Sequence, residues 1–392
     1  MTFYPLATET WDEAELEAIQ RVVESRNFTM GREVKIFEEE FASYFGSKFA
    51  LMVNSGSSAN LLAVAGLTLC RDRLIQPGEA VLVLAISWST TFSPLQQYGL
   101  ELRFVDIDPE TLNLDTDLLD AAVTENTKAI FAVNLLGNPC ELGRLVDFCE
   151  NRGLVLIEDN CESMGARFDG KFTGTFGACG TFSTFFSHHI STMEGGVVVT
   201  DDEALYHTML SLRSHGWSRE QPDHSHLAGG DDPFTSKFRF VLPGYNVRPL
   251  EMSRAIGREQ LKKLPNLIQK RRENADALKS HFDDCPDVRI QSESGESSWF
   301  GFSLVLQGRL RDRRAEFIAA LSNGEIESRP IVSGNFLNNP VIEHFNYSLG
   351  SEITVAEDID RNGLFIGNHH YPITPQLERC REIVDQVASK TQ

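Results

Sequence analysis

The chain has 392 residues, of which 41% are hydrophobic and 23% charged, and its 56 acidic against 36 basic side chains give a net charge of −20. This composition is ordinary for a globular protein of two domains, and so acidic a chain is unsuited to nucleic acid or an anionic membrane as its main partner. Its seven cysteines are scattered, it has no signal-peptide pattern, and its apolar runs are too short to cross a bilayer; this predicts a cytoplasmic protein without disulfides, cysteine-bound zinc or a membrane segment.

The N-terminal part begins with apolar residues at helical spacing. Two amphipathic helices are predicted at residues 11–25 and 31–45, followed by an apolar strand at 50–53. The small residues 54–60 then form a turn into a helix at 61–69. Such a turn presents free backbone N–H groups at the positive end of a helix, which is typical of a phosphate site. An ordinary strand–helix turn is the alternative.

Strands and helices then alternate along the chain. The predicted strands are 80–84, 102–106, 129–133 and 154–159, and the helices between them are 91–98, 116–123 and 142–152. Continuous apolar strands separated by helices predict a mostly parallel sheet covered on both faces. Ligands bind at the carboxyl ends of such strands, where Ser57, Trp88 and Asp159 fall.

The segment after the alternating strands and helices contains two adjacent histidines. After a hairpin at 167–172, a Phe-rich strand leads into His188 and His189, and a β-branched strand follows at 197–200. Adjacent histidines in a loop between strands suggest chemistry or a metal; two hydrogen-bonded loop histidines are the alternative. Next come a helix at 202–214 and an irregular segment at 215–243, which is long enough to be a functional loop or a subunit contact.

The remaining residues predict a second, smaller domain of α+β type. A helix at 249–281, with a possible break at Pro265, leads into it. Its predicted elements are strands at 301–306, 327–332 and 364–371, a helix at 311–321, and a loop-rich region at 340–359. The predicted division is a large domain of residues 1–248 and a C-terminal domain of residues 249–392.

Several short motifs occur in one order along the chain. They are Asn54-Ser55-Gly56-Ser57-Ser58-Ala59, Trp88, Glu158-Asp159-x-x-Glu162, Gly174-Thr175-Phe176-Gly177, Ser183, Glu194-Gly195-Gly196 and Gly244-Tyr245-Asn246-x-Arg248. In this order they resemble the DegT/DnrJ/EryC1/StrS family of pyridoxal-phosphate sugar aminotransferases. The resemblance implies the α/β type I pyridoxal-phosphate fold, like that of aspartate aminotransferase, and a homodimer with shared active sites.

The resemblance also implies which residues bind the cofactor phosphate. Gly56, Ser57 and Ser183 would supply N–H and hydroxyl donors to it. Asn246 would reach the phosphate held by the other subunit.

Three further residues are implied beside the cofactor ring. Asp159 would keep the pyridine nitrogen protonated, so that the ring can accept electrons; a helix N-cap is its alternative role. Trp88 would stack on the ring, unless it is a core residue. Glu162 would lie beside the cofactor, with a solvated helix-start carboxylate as its alternative.

One position departs from the family pattern. When Glu194-Gly195-Gly196 is aligned with the family motif, the lysine that bonds to the cofactor falls on His188. Lys171 and Lys237 do not match the motif position. A histidine can still move protons near neutral pH, so His188 is the predicted catalytic base.

The replacement of lysine by histidine at this position resembles the sugar 3-dehydratase branch of the family. A similar stretch in that branch resembles the segment Ser328-Arg329-Pro330-Ile331-Val332-Ser333-Gly334-Asn335. Arg329 and Arg248 are the predicted substrate-binding residues, although a surface arginine is an equal alternative for Arg329. Met193 stands where the branch usually has glycine. Without closely spaced cysteines, the iron–sulfur type of 3-dehydratase is disfavoured, and no metal site is predicted.

The branch implies an enzyme that uses pyridoxal or pyridoxamine 5′-phosphate and L-glutamate. It would remove the C3 hydroxyl of a nucleotide-linked 4-keto-6-deoxyhexose, with GDP-4-keto-6-deoxymannose as the expected substrate. The product would enter 3,6-dideoxysugar synthesis for lipopolysaccharide O-antigen. Two alternatives stay open: an aminotransferase that makes an amino sugar, and a non-catalytic relative that binds the cofactor.

Overall fold

The computed structural model describes residues 3–229, 232–236 and 238–390, so that Lys237 lies outside the described residues. The helices are α1 (Glu13–Ser25), α2 (Arg32–Phe45), α3 (Gly56–Leu69), α4 (Ser89–Gln97), α5 (Leu119–Ala122), α6 (Leu142–Arg152), α7 (Glu203–Arg213), α8 (Pro233–Ser236), α9 (Glu251–Phe282), α10 (Arg314–Asn323), α11 (Val355–Asn362) and α12 (Thr374–Ser389). The strands are β1 (Phe49–Val53), β2 (Ala80–Leu84), β3 (Glu101–Val105), β4 (Thr127–Val133), β5 (Val155–Asp159), β6 (Arg167–Phe168), β7 (Lys171–Phe172), β8 (Cys179–Ser183), β9 (Gly196–Thr200), β10 (Val288–Ile290), β11 (Gly301–Leu306), β12 (Tyr347–Leu349) and β13 (Gly363–Gly367).

The large sheet has the strand order β1-β9-β8-β5-β4-β2-β3-β12. Only β9 runs antiparallel to its neighbours in this sheet. Its central strands β2, β8 and β9 are buried along their whole length, because helices cover both faces. The prediction of a large, mostly parallel sheet in an α/β protein is therefore confirmed.

The carboxyl ends of β1, β2, β5 and β8 point the same way, since these strands are mutually parallel. The segments that leave them lie along one edge of the sheet. Helix α3 follows β1 almost at once: the Ser55 hydroxyl accepts the Ser58 N–H, so the helix begins at Gly56 rather than at residue 61. This edge is where the sequence places its candidate ligand-binding residues.

A second, smaller sheet is formed by β10, β11 and β13, all antiparallel. It packs with α9, α10 and α12 around a separate hydrophobic core. Strand β12 comes from the same C-terminal part of the chain but pairs with β3 of the large sheet. The domain boundary between residues 248 and 249 stays a prediction.

Some predicted elements of the C-terminal part are wrong. Helix α9 continues through Pro265 without a break. The predicted strand at 327–332 is absent from the described residues, apart from a single bridge between Arg329 and Phe365, because Val332 and Gly334 adopt positive φ angles and turn the chain. The region 340–359 is not only loop, since it contains β12 and the start of α11.

Among the described residues, no helix is both long enough and apolar enough to cross a lipid bilayer.

Candidate active site

A cavity of about 300 Å³ opens at the carboxyl edge of the large sheet. The sequence-predicted residues in its walls are Gly56, Ser57, Trp88, Asp159, Glu162, Ser183, His188 and Arg329. They come from segments that follow β1, β2, β5 and β8, and from the C-terminal part of the chain. The fold thus brings together side chains that are far apart in sequence.

The first turn of α3 forms one end of the cavity. Its backbone N–H groups have no carbonyl partner within the helix, and the helix dipole favours an anion there. A Cβ on Gly56 would lie only 2.7 Å from the Cβ of Ser183, so glycine allows the helix to approach the end of β8. The Ser183 hydroxyl then lies beside the helix terminus, and the two together suit a phosphate group.

Asp159 lies at the end of β5 and is almost fully buried. One of its oxygens, Oδ2, accepts hydrogen bonds from Asn60 Nδ2 and Thr91 Oγ1, both at 2.8 Å. The other, Oδ1, accepts the Cys161 N–H at 3.1 Å. The carboxylate is held in one orientation at the cavity wall, which suits the binding of a protonated ring nitrogen.

The groups next to Asp159 are less acidic than usual. Burial raises the pKa of Glu162, an effect that Arg329 partly offsets, and Glu162 Oε2 accepts the Leu136 N–H at 3.2 Å. Burial also raises the pKa of Cys161 well above its ordinary value, with Asp159 adding to the effect. The Cys161 thiol therefore stays protonated and is a poor nucleophile.

His188 lies in the loop between β8 and β9, where its N–H bonds to the Phe185 carbonyl. Its ring packs 5.1 Å from the Phe300 ring, between centroids, and Nδ1 is buried without a hydrogen-bond partner. Removal from bulk water lowers the pKa of His188 to about 3, and the charges of Arg329 and Arg271 act in the same direction. The imidazole is therefore neutral and able to accept a proton.

Two other predicted residues complete the cavity. Trp88 follows β2 and leaves 54% of its surface exposed, so it is a wall residue and not a core residue. The Arg329 guanidinium lies 4.6 Å from the centre of the Phe365 ring, and its Nε is buried without a partner. No lysine lines the cavity in the part of the chain that is described, and Lys171 lies in the β6–β7 hairpin.

Asn246 and Arg248 do not line this cavity. Asn246 is exposed, and its Oδ1 accepts a hydrogen bond from Arg248 Nε at 2.9 Å. Their predicted roles stay predictions. Conversely, sequence reasoning did not assign a role to Asn60 or Thr91; Asn60 lies within the small-residue turn motif, but nothing in the sequence links either residue to Asp159.

These residues fit the pyridoxal phosphate that the sequence resemblance implies. The cradle at Gly56 and Ser183 suits its phosphate, and the oriented carboxylate of Asp159 suits its ring nitrogen. His188 and Arg329 also line the cavity, so their side chains can contact further groups bound there.

Comparison with known proteins gives a consistent result. The chain is 55% identical to the GDP-4-keto-6-deoxy-D-mannose 3-dehydratase of Yersinia pseudotuberculosis over 387 residues, which is 98% of each protein. The structure matches that of the E. coli enzyme of the same name with bound hydrated PLP, with a TM-score of 0.95, 51% identity, and coverage of 98% of this chain and all of the other. It also matches a histidine-to-asparagine variant of such an enzyme with bound GDP-perosamine, with a TM-score of 0.95, 51% identity, and coverage of 97% of this chain and all of the other.

The likeness confirms the predicted pyridoxal-phosphate-dependent aminotransferase fold. Residues 9–390 match the model of the family described as DegT/DnrJ/EryC1/StrS aminotransferases. With this match across nearly the whole chain and the relatives above, the protein belongs to the DegT/DnrJ/EryC1/StrS aminotransferase family.

Proposed function

We propose that the protein is a pyridoxal-phosphate-dependent 3-dehydratase that acts on GDP-4-keto-6-deoxymannose with L-glutamate as the amino donor. The observation that carries the proposal is a neutral histidine, His188, in a cavity that otherwise suits the cofactor and contains no described lysine. The names of the close relatives support it. We further propose that the protein is a cytoplasmic enzyme of 3,6-dideoxysugar synthesis for lipopolysaccharide O-antigen.

The cofactor, when bound, would take up an amino group and serve as the electron sink for loss of the C3 hydroxyl. Gly56, Ser57 and Ser183 would hold its phosphate. Asp159 would keep the ring nitrogen protonated, and Trp88 would cover one face of the ring. These residues bind and orient the cofactor.

His188, whose side chain lines the cavity, would move protons at one of its two ring nitrogens. Its lowered pKa keeps the imidazole neutral at neutral pH, so that one ring nitrogen carries a lone pair. Arg329 lines the same cavity and would bind the carboxylate of glutamate or a substrate phosphate. Because imidazole does not replace a lysine as a covalent partner of the cofactor, the amino group would leave with the product as ammonia.

The product identifies the reaction. The purified protein is incubated with pyridoxal phosphate, L-glutamate and GDP-4-keto-6-deoxymannose, and the nucleotide sugar is weighed by mass spectrometry. We expect loss of one oxygen and release of ammonia. An amine in place of the ketone would instead establish the aminotransferase alternative. No turnover of this or any other 4-keto nucleotide sugar, despite bound cofactor, would favour the non-catalytic relative.

His188→Asn tests the proposed base. Asparagine preserves polarity but cannot accept a proton near neutral pH, so we expect dehydration to fall by at least about a hundredfold. Cofactor binding, measured by absorbance after gel filtration, should remain. Turnover at the wild-type rate would show that His188 is not the base.

We also propose a homodimer in which each active site uses both subunits. Asn246 is exposed and lies outside the cavity of its own chain, as a residue that serves a partner would. Large apolar side chains are exposed near the cavity mouth and on the long loop after α7, namely Trp88, Phe185, Phe186, Phe234, Phe238 and Phe240. Clusters of exposed aromatic residues are typical of surfaces that a partner covers.

Subunit mixing tests the shared site. His188→Asn and Asn246→Ala chains would each be inactive alone, because every site would lack one of the two groups. In mixed dimers one of the two sites would regain both groups, so an equal mixture should recover about a quarter of the wild-type activity. No recovery, with mixed dimers verified by mass spectrometry, would contradict the shared site.

A further inference from the structure

A cluster of potential metal ligands lies on α7, apart from the cavity. Glu203 and His207 are four residues apart, so they share one face of the helix. His224, from the long loop after α7, completes the cluster, and its Nε2 lies 3.2 Å from Glu203 Oε1. One ligand atom from each residue can be chosen such that all lie within 4.8 Å of one another. We propose that Glu203, His207 and His224 bind a divalent transition-metal ion, with Zn²⁺ as the expected occupant.

The spacing suits a tetrahedral ion after small side-chain rotations. Ligand atoms at about 2.0–2.1 Å from zinc lie roughly 3.3 Å from one another. The distance between Glu203 Oε1 and His224 Nε2 already has about this value. The other distances between ligand atoms are at most 4.8 Å, and rotation of the exposed side chains can shorten them. Glu203 and His224 are both exposed and free to change rotamer, whereas His207 is buried and fixed.

The donor set selects the class of metal. Two imidazoles and one carboxylate are typical ligands of zinc and its neighbours, and the fourth position would be left for water. Mg²⁺ and Ca²⁺ prefer oxygen ligands, so this cluster should bind them poorly.

The loop is already placed for this contact. Gln221 Nε2 donates to the His207 carbonyl at 2.9 Å, and the Ser225 hydroxyl donates to Gln221 Oε1 at 2.6 Å. The first bond ties the loop to α7, and the second joins the two sides of the turn that carries His224. An ion would add a stronger link between the helix and the loop that carries the exposed aromatic residues of the proposed dimer contact. None of the three ligands lines the cavity, so the ion would take no part in the proposed reaction.

The test is Zn²⁺ binding by the cofactor-loaded protein without an affinity tag. The protein is treated with chelator, freed of it, and titrated calorimetrically with Zn²⁺, and bound metal is counted by mass spectrometry after dialysis. We expect one ion per chain and a rise in the melting temperature with added Zn²⁺. Co²⁺ should give the visible absorption of a low-coordinate nitrogen and oxygen site. The absence of stoichiometric binding would overturn the proposal.

Two variants locate the site. Glu203→Gln and His224→Ala change exposed side chains, so the fold should persist, and circular dichroism verifies this. Each should weaken Zn²⁺ binding at least about tenfold. His344→Ala removes an exposed histidine outside the cluster and should leave binding unchanged. Equal affinity in all three variants, or equal loss in all three, would overturn the assignment.

Discussion

The carboxylate of Asp159 is oriented by two side chains from other elements. Asn60 reaches it from α3 and Thr91 from α4, and both donate to Oδ2. Asn60 is fixed in turn, because its Oδ1 accepts the hydroxyl of Thr181 at 2.6 Å. The Thr91 hydroxyl also lies 2.8 Å from Ser87 Oγ. Oδ2 is thus occupied by protein donors, which leaves the remaining acceptor capacity of the carboxylate for the cofactor.

Thr91→Val tests this positioning role. Valine keeps the shape of threonine but removes one hydrogen bond to a carboxylate, a bond worth about 1.5–3 kcal/mol. We expect the affinity for pyridoxal phosphate, measured by fluorescence titration, to fall about tenfold or more. Ser93→Ala is the matched control, since among the described residues this hydroxyl of the same helix bonds only to the Ser89 carbonyl. Equal affinities in the two variants would show that Thr91 does not support Asp159.

The sequence predicts the residues of the site better than the contacts between them. Asp159 could be identified because it ends an apolar strand, and the carboxyl ends of parallel strands share one edge, whereas Ser183 was implied by the family resemblance. The side chains that orient Asp159 could not be identified from the sequence. Asn60 and Thr91 precede Asp159 by 99 and 68 residues and contact it only in the folded protein. The proposed metal ligands could not be identified from the sequence for the same reason, because His224 comes close to α7 only through the path of the folded loop.

At the scale of elements, α2 lacks a cap of its own. Its N-cap residue is Gly31, which has no side chain to accept the free N–H groups of the first turn. Glu251, at the start of α9, takes that role: its carboxylate accepts the N–H groups of Gly31, Glu33 and Val34 at 2.6–3.2 Å. This buried anion also lies at the positive end of the α2 dipole.

Glu251→Gln should therefore loosen the contact between α2 and α9. The amide offers one acceptor oxygen and turns its NH₂ group towards N–H donors, so we expect a loss of about 2–3 kcal/mol in the free energy of unfolding. Urea denaturation at a fixed protein concentration measures it. Glu39→Gln on the exposed side of α2, which breaks only a surface pair with Lys35, should change stability by less than about 0.5 kcal/mol. Similar losses in both variants would refute the capping role.

Local patterns predict the elements of the large sheet well and those of the C-terminal part less well. Strand β2 and residues 129–133 of β4 are continuous apolar runs, which leave little ambiguity. Pro265 does not break α9, because the helix is held on both sides by buried Leu264 and Leu267, and Pro265 itself faces solvent. Strand β12 has only three residues and its two apolar side chains are exposed, so its pattern is too short to identify a strand.

For the whole molecule, the protonation state of the buried histidines makes the stability of the fold depend on pH. Burial lowers the pKa of His369 to about 4, with the charge of Arg271 acting in the same direction. The ring bridges distant parts of the chain: Nε2 lies 3.0 Å from the Pro5 carbonyl and Nδ1 lies 3.0 Å from the Thr8 hydroxyl. A neutral ring satisfies both contacts, by donating from Nε2 and accepting at Nδ1, whereas a protonated ring would lose the acceptor.

The unfolded chain should therefore bind more protons than the folded one between pH about 6.5, the ordinary value for histidine, and about 4. In this window stability rises with pH, and His369 should contribute up to about 1.4 kcal/mol per pH unit.

His369→Gln removes the titrating group, so the free energy of unfolding of this variant should fall less steeply on acidification than that of the wild type. Urea denaturation across the window, at one protein concentration, measures both slopes. If the slope of His369→Gln equals that of the wild type, His369 is not buried in its neutral form, because only a difference in proton uptake between the folded and unfolded states can change the slope.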